Sequence, residues 1–273
     1  MRANLERPDT PAWSQDSALP RRRDLTGIAT DRPSEPPERS PLADPTLESL
    51  EPALTLDHAV LLPIGAAVGA VVAVVVVPSL LPDLTASVLG DQPKLYWYLS
   101  RSSGLVAYVM LWVSATLGLT LTNRFARLWG GGPAVADVHQ FASLLALALA
   151  VFHVLILLGD GYIGYELGQL LVPFGSTPYE PFWVGLGQLG FYLALPVTFS
   201  FYVRRAIGVR AWRLIHYLSF ALFVLVVAHG LGAGTDSRAP AMLGLYLVTC
   251  CSTIFLATHR ALGASRNRAR QPG

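Results

Sequence analysis

The sequence predicts an all-α membrane protein: a bundle of six transmembrane helices preceded by a disordered N-terminal tail. Three observations carry this. Only 14% of the 273 residues are charged and 52% are hydrophobic, against roughly 25% charged in a soluble domain. The apolar residues gather into six runs, each long enough for a bilayer core of about 30 Å, which takes about 20 helical residues. Arginines are concentrated in alternate loops between those runs.

Residues 1–56 are rich in Pro, Arg, Asp, Glu and Ser. They hold too few apolar residues to bury a core, and a disordered cytoplasmic tail is expected there. Arg21-Arg22-Arg23 is not followed at once by an apolar region, so no twin-arginine leader is expected. The first run, 59–82, is uncharged up to Asp83, and the second, 102–123, lies between Arg101 and Arg124. The third, 138–159, lies between Asp137 and Asp160, and the fourth, 181–203, ends at Arg204. The fifth, 214–235, lies between Arg213 and Asp236, and the sixth, 239–259, ends at Arg260. Lipid offers the backbone no hydrogen bonds, so runs of this length close their own as helices. Pro196 is expected to kink the fourth helix. The membrane domain is placed at 57–262, with a short cytoplasmic tail at 263–273.

Topology follows from the arginines. Arg124 and Arg127 lie between the second and third helices, and Arg204, Arg205, Arg210 and Arg213 between the fourth and fifth. Arg260, Arg266, Arg268 and Arg270 close the chain. The loop at 160–180 has Asp160, Glu166 and Glu180 but no Lys or Arg. Both termini are therefore expected in the cytoplasm, in a bacterial plasma membrane. Cys250 and Cys251 are adjacent, which disfavours a disulfide, and no CxxCH for covalent haem is present.

Two of the helices carry paired histidines. His139 and His153 bound "HQFASLLALALAVFH", and His216 and His229 bound "HYLSFALFVLVVAH". Imidazoles inside lipid-spanning segments are costly without partners and point to function. The spacings of 14 and 13 residues correspond to about 21 and about 20 Å along a helix. The third and fifth helices run in the same direction, so His139 pairs in depth with His216 and His153 with His229. Each pair suits the two axial positions of one haem iron, an arrangement that favours electron transfer. The angular register is less simple: 14 residues return to within about 40° of the start, whereas 13 miss by about 140°. The fifth helix therefore needs local distortion, which Gly230 and Gly232 would ease, or tilt, or differently oriented rings. Small residues Ala142, Ala146, Ala148 and Ala150 would admit flat macrocycles, or simply close helix packing.

The stretches "RAWRLIHYLSFALFVLVVAHG" and "HQFASLLALALAVFH" resemble the ferric reductase-like transmembrane domain superfamily, over roughly residues 95–262. The resemblance implies six helices, two b-type haems, and histidine ligands on the third and fifth helices. By it, His139 and His216 hold the inner haem, and His153 and His229 the outer. Arg101, in "YLSRSSG", matches a position beside the outer haem, where a guanidinium would meet a propionate. Snorkelling to the headgroups is the alternative. Arg204, Arg205 and Arg213 either face inner propionates or serve topology alone. The chain departs from NADPH oxidases at Leu157, where those enzymes carry a further histidine. No flavin–nicotinamide domain fits in the residues after the sixth helix, so a separate reductase partner is implied. The small haem subunits that partner methionine sulfoxide reductases have a second-helix histidine where this chain has "SRSSG".

The expected function is electron transfer across the membrane through two haem b groups. A separate cytoplasmic flavoprotein or a quinol would be the donor, and a ferric chelate or another outer-side acceptor would receive the electrons. A haem-free scaffold or carrier, and a cytochrome exchanging electrons with quinone, are the alternatives. No nucleic-acid partner is expected. Phe220 and Phe223 lie between the two histidine depths, as packing or as an aromatic relay. His58 and His259 are expected at the interface, not as ligands. The tryptophans are expected mostly at helix ends, and the carboxylates of the 160–180 loop in solvent.

Overall fold

The computed structural model describes residues 51–80, 94–122, 132–161 and 163–269. The expected disordered tail, 1–56, lies outside these residues up to position 50, and its last residue, Leu56, opens α1; Arg21–Arg23, Arg124 and Arg127 also lie outside. Six long helices form: α1 (Leu56–Val71), α2 (Leu95–Thr122), α3 (Gly132–Leu155), α4 (Pro181–Ile207), α5 (Val209–Ala233) and α6 (Pro240–Ala269). A π-helical turn (Val72–Val76) and a last turn (Val77–Leu80) extend α1, and a 3₁₀ turn (Ile156–Gly159) extends α3. All six are long and apolar enough to span a bilayer. Their outward surfaces remain apolar, with Leu214, Val224, Leu247, Ile254 and Phe255 exposed, as lipid-facing positions are.

Several boundaries differ from those read in the sequence. α2 begins seven residues before the expected 102, because "LYWYLS" continues the helix through the polar Ser100 and Arg101. α4 continues four residues beyond 203, past Arg204 and Arg205, to Gly208, whose φ of 83° ends the helix and starts α5. A positive φ of this kind is open to glycine at little cost. Pro196 sits inside α4, and the helix runs on through it. α5 likewise runs unbroken past Gly230. Those glycines serve close approach instead. A β-carbon on Gly230 would stand 2.7 Å from the Tyr246 hydroxyl, and one on Gly232 would run into the Trp183 ring.

α2 packs chiefly on α3, α4 on α5, α1 on α3 and α6 on α2. α3 and α5, which carry the histidines, are not among the closely packed pairs. At mid-depth Tyr108, Phe223 and Tyr246 form a buried aromatic cluster, with the Tyr108 hydroxyl bonded to that of Thr249. Trp112 lies within α2 instead of at an end, and its indole N–H donates to Ser252 at 2.9 Å.

The loop after α3 is tied down by polar groups. Gln188 of α4 uses both ends of its amide: Nε2 donates to the carbonyls of Gln169 (2.7 Å) and Leu170 (2.9 Å), and Oε1 accepts from the Phe174 N–H (2.9 Å). Asp160 is not a solvated carboxylate. It is 2% exposed, because Oδ2 accepts from the Ile163 N–H at 3.0 Å and closes a turn over the end of α3. Glu166 and Glu180 are exposed, as expected.

Candidate functional site

The four histidines meet in the two pairs that their depths predict. The rings of His139 and His216 have centroids 6.1 Å apart at an interplanar angle of 77°. Those of His153 and His229 are 6.2 Å apart, also at 77°. Two imidazoles sharing one metal ion through Nε2 bring their centres to about 6.2 Å, given a metal–nitrogen bond of about 2.0 Å and about 1.1 Å from nitrogen to ring centre. Among the described residues, no three His, Cys, Asp or Glu side chains gather as a metal cluster. Histidines grouped in twos suit an iron that already carries four porphyrin nitrogens. The residues present therefore fit a b-type haem at each pair.

Three of the rings are held by the same local device. His153 Nδ1 donates to the Ser100 carbonyl at 2.7 Å, His139 Nδ1 to the Ser114 carbonyl at 2.8 Å, and His229 Nδ1 to the Trp183 carbonyl at 2.9 Å. A carbonyl only accepts, so each Nδ1 carries the proton and each Nε2 keeps its lone pair. Each accepting carbonyl is followed four residues later by a glycine: Gly104, Gly118 and Gly187. In a helix the carbonyl of residue i already accepts from the N–H of i+4, and the β-carbon of i+4 leans back over it. Glycine at i+4 uncovers the carbonyl's second lone pair to an approaching ring. A β-carbon on Gly104 would lie 2.7 Å from His153 Nδ1, one on Gly118 3.1 Å from His139 Cε1, and one on Gly187 2.6 Å from His229 Nδ1. The Ser100 hydroxyl adds a bond to the His153 carbonyl at 2.9 Å. Ser114 and Ser143 hydroxyls meet at 2.6 Å beneath His139.

These cradles were not among the residues singled out in the sequence. A signal was nevertheless present. Ser100 and Ser114, and likewise Gly104 and Gly118, are 14 residues apart, as are His139 and His153. α2 thus repeats Ser-x-x-x-Gly at the period of the histidines it receives.

His216 is held differently. It stacks on Trp212, one turn earlier, with centroids 5.5 Å apart and planes at 29°. Thirteen residues past Gly187, where antiparallel packing would put a fourth cradle, α4 has Ser200 and then Phe201. This difference accommodates the awkward register of α5. His229 leans on α4, while His216 lies against its own helix, so both rings reach α3 without a break in α5.

Arg101 forms an ion pair with Asp236, in the turn between α5 and α6. It also directly follows Ser100, the residue that cradles His153. Arg204 is buried, 7% exposed, with its guanidinium 3.9 Å from the centre of the Phe201 ring. Arg205 is exposed and pairs with Glu51 at 3.5 Å. Phe223 is buried in the mid-depth cluster whereas Phe220 is exposed. His58 bonds the Thr55 hydroxyl at 2.6 Å and His259 lies beside Phe255, both away from the two pairs. Ala142, Ala146 and Ala148 are buried and Ala150 is half-buried. Comparison with known protein families, with curated proteins and with solved structures finds no match to this chain.

Proposed function

We propose that the chain is a transmembrane electron conduit of the ferric reductase-like kind, with one b-type haem held by His139 and His216 and a second by His153 and His229. The observation that carries the proposal is the ring spacing, 6.1 and 6.2 Å, against about 6.2 Å for two imidazoles on one iron. The loose packing of α3 against α5 and the proton held on Nδ1 of three rings support it further. Haem held by these histidines would supply one-electron exchange, with transfer favoured over oxygen binding.

The chain's own residues do the rest. Backbone carbonyls of α2 and α4 fix each neutral imidazole in orientation and tautomer. Arg101 offers a positive charge to a propionate of the outer haem, in competition with Asp236. Electrons enter at the His139–His216 end from a separate cytoplasmic flavoprotein or a quinol. They leave at the His153–His229 end to an outer-side acceptor such as a ferric chelate. The orientation, with both termini in the cytoplasm, rests on the arginine-rich loops.

A pyridine haemochrome assay on purified chain should give close to two haems b per molecule. His153→Ala should lower that to one, with the remaining haem still low-spin. Retention of both haems would refute the pairing. A colourless protein made with ample porphyrin would leave a haem-free scaffold as the better account.

A further inference from the structure

The end of the bundle that carries His139 and His216 holds polar donors that the conduit does not itself employ. The Trp212 indole N–H is fully buried and has no hydrogen-bond partner. An orphaned buried donor costs about 1–3 kcal/mol, and its persistence points to an acceptor that belongs there. Trp212 stacks on His216 at 5.5 Å. Among the described residues no hydrogen-bond partner lies at His216, whereas the other three rings each have a carbonyl at Nδ1. With Nε2 on a metal, the His216 Nδ1 carries a proton and becomes a second donor beside the first. Both sit where a fourth glycine cradle is missing.

Positive charge converges on the same place. The Phe201 ring lies 6.3 Å from the Trp212 ring and carries the buried Arg204 guanidinium on its face, 3.9 Å from its centre. On the other side Arg260 of α6 reaches the hydroxyl of Tyr217, the residue after His216, at 3.4 Å. Two N–H donors flanked by guanidinium groups in an apolar surround form a receptor for an oxygen acceptor that bears negative charge.

We propose that Trp212 and His216, backed by Arg204, form a subsite for an anionic or strongly polarised oxygen at the His139–His216 end. The subsite rests on the haem reading above and names what that end of the conduit binds. Two groups share this chemistry: a propionate of the haem held by His139 and His216, and a quinone oxygen of a lipid-soluble donor.

The test uses the full-length chain in nanodiscs, produced under haem limitation and titrated with haemin or with haemin dimethyl ester, which lacks the charged oxygens. Trp212→Phe keeps the ring stack and removes only the N–H. Arg204→Lys keeps the charge and removes the fork. If the oxygen is a propionate, either substitution should weaken haemin at the His139–His216 site by about tenfold, the worth of one charge-assisted hydrogen bond, and leave the ester unchanged. If it is a quinone oxygen, haemin affinity should hold. A short-chain ubiquinone or menaquinone analogue should then perturb the wild-type haem spectrum at concentrations about tenfold lower than in Trp212→Phe. Haemin, ester and quinone responses identical to wild type in both variants would overturn the subsite while leaving the two-haem reading intact. A wild-type chain that takes up no porphyrin would overturn both.

Discussion

Gly104 and His153 stand so close that a β-carbon on the glycine would lie 2.7 Å from the imidazole Nδ1. At Gly118 the corresponding approach to His139 is 3.1 Å, to Cε1. The two cradles of α2 therefore differ in how much they tolerate. Alanine at 104 must push the ring off the Ser100 carbonyl, an overpacking cost of about 1–3 kcal/mol. It also gains about 1 kcal/mol of helix propensity over glycine. Gly104→Ala should thus lower the thermal stability by a net of no more than about 2 kcal/mol yet abolish haem at the His153–His229 pair. Gly118→Ala should retain its haem with weakened affinity. Haem content per chain and a melting curve on each variant check the order, and equal haem loss in both would contradict the cradle geometry.

The ion pair between Arg101 and Asp236 joins the start of α2 to the turn after α5. The Asp236 side chain is 63% exposed, so the pair contributes no more than about 1 kcal/mol. Asp236→Asn should barely alter the melting temperature. It leaves the guanidinium to the outer haem alone, and should tighten that haem, whereas Arg101→Ala should loosen it. Haem off-rates to apomyoglobin measure both. Weaker retention in Asp236→Asn would show that Asp236 positions the arginine instead of competing for it.

Phe220 and Phe223 belong to one helix but not to one environment. Phe223 is 7% exposed in the aromatic cluster, 6.3 Å from the Tyr108 ring, and Phe220 is 38% exposed on the lipid-facing side. Phe223→Ala should cost about 3–5 kcal/mol through the cavity it opens. Phe220→Ala should stay within about 1 kcal/mol. Unfolding by denaturant in mixed micelles, read from tryptophan fluorescence, compares the two. Similar losses would mean that the cluster is not the packing centre of the bundle.

Tyr165 gives the loop after α3 a dependence on pH. Burial raises its phenol above the ordinary 10.0, the Ser176 hydroxyl at 3.1 Å pulls it back, and the Asp160 charge raises it again. A phenol raised in the fold contributes stability that is complete below its ordinary value and is lost as pH climbs through the raised one. The loop should stay protected from hydrogen exchange up to about pH 10 and open above it. Tyr165→Phe should remove that upper limit. A loop that loosens instead between neutral pH and pH 9 would point to another group.

The six spans and the depth pairing of the histidines were legible because lipid leaves the sequence little freedom: long uncharged runs, with polar residues only where something needs them. The cradles were harder to read. Their acceptors at Ser100, Ser114 and Trp183 are backbone carbonyls, which have no letter in the sequence, and the glycines that expose them look like any glycine in a membrane helix. Only the 14-residue repeat on α2 marked them. The 13-residue spacing on α5 left distortion, tilt and differently oriented rings open, and the structure takes the last of these, with His216 against Trp212 and His229 against Trp183. Gly230 and Gly232 turned out to admit Tyr246 and Trp183. Asp160 was misread because burial of a loop carboxylate depends on a turn closed three residues later, and Arg101 found an acidic partner 135 positions away in the chain.

The missing fourth cradle makes the two proposed haem stations unequal. A backbone oxygen drawing on Nδ1–H renders an imidazole a stronger electron donor and favours ferric over ferrous iron. His153 and His229 both have this push from the backbone, but at the other station only His139 does. Unless an anionic oxygen at the Trp212–His216 subsite supplies the same push, the outer iron would be the more reluctant to accept an electron, with ligands of the same kind at both depths. In the proposed orientation, outward current climbs a small step that the cell's own inside-negative voltage, worth about 2.3 kcal/mol per charge at 100 mV, is placed to overcome. Such a chain would carry electrons outward at a rate that tracks the energised state of the membrane.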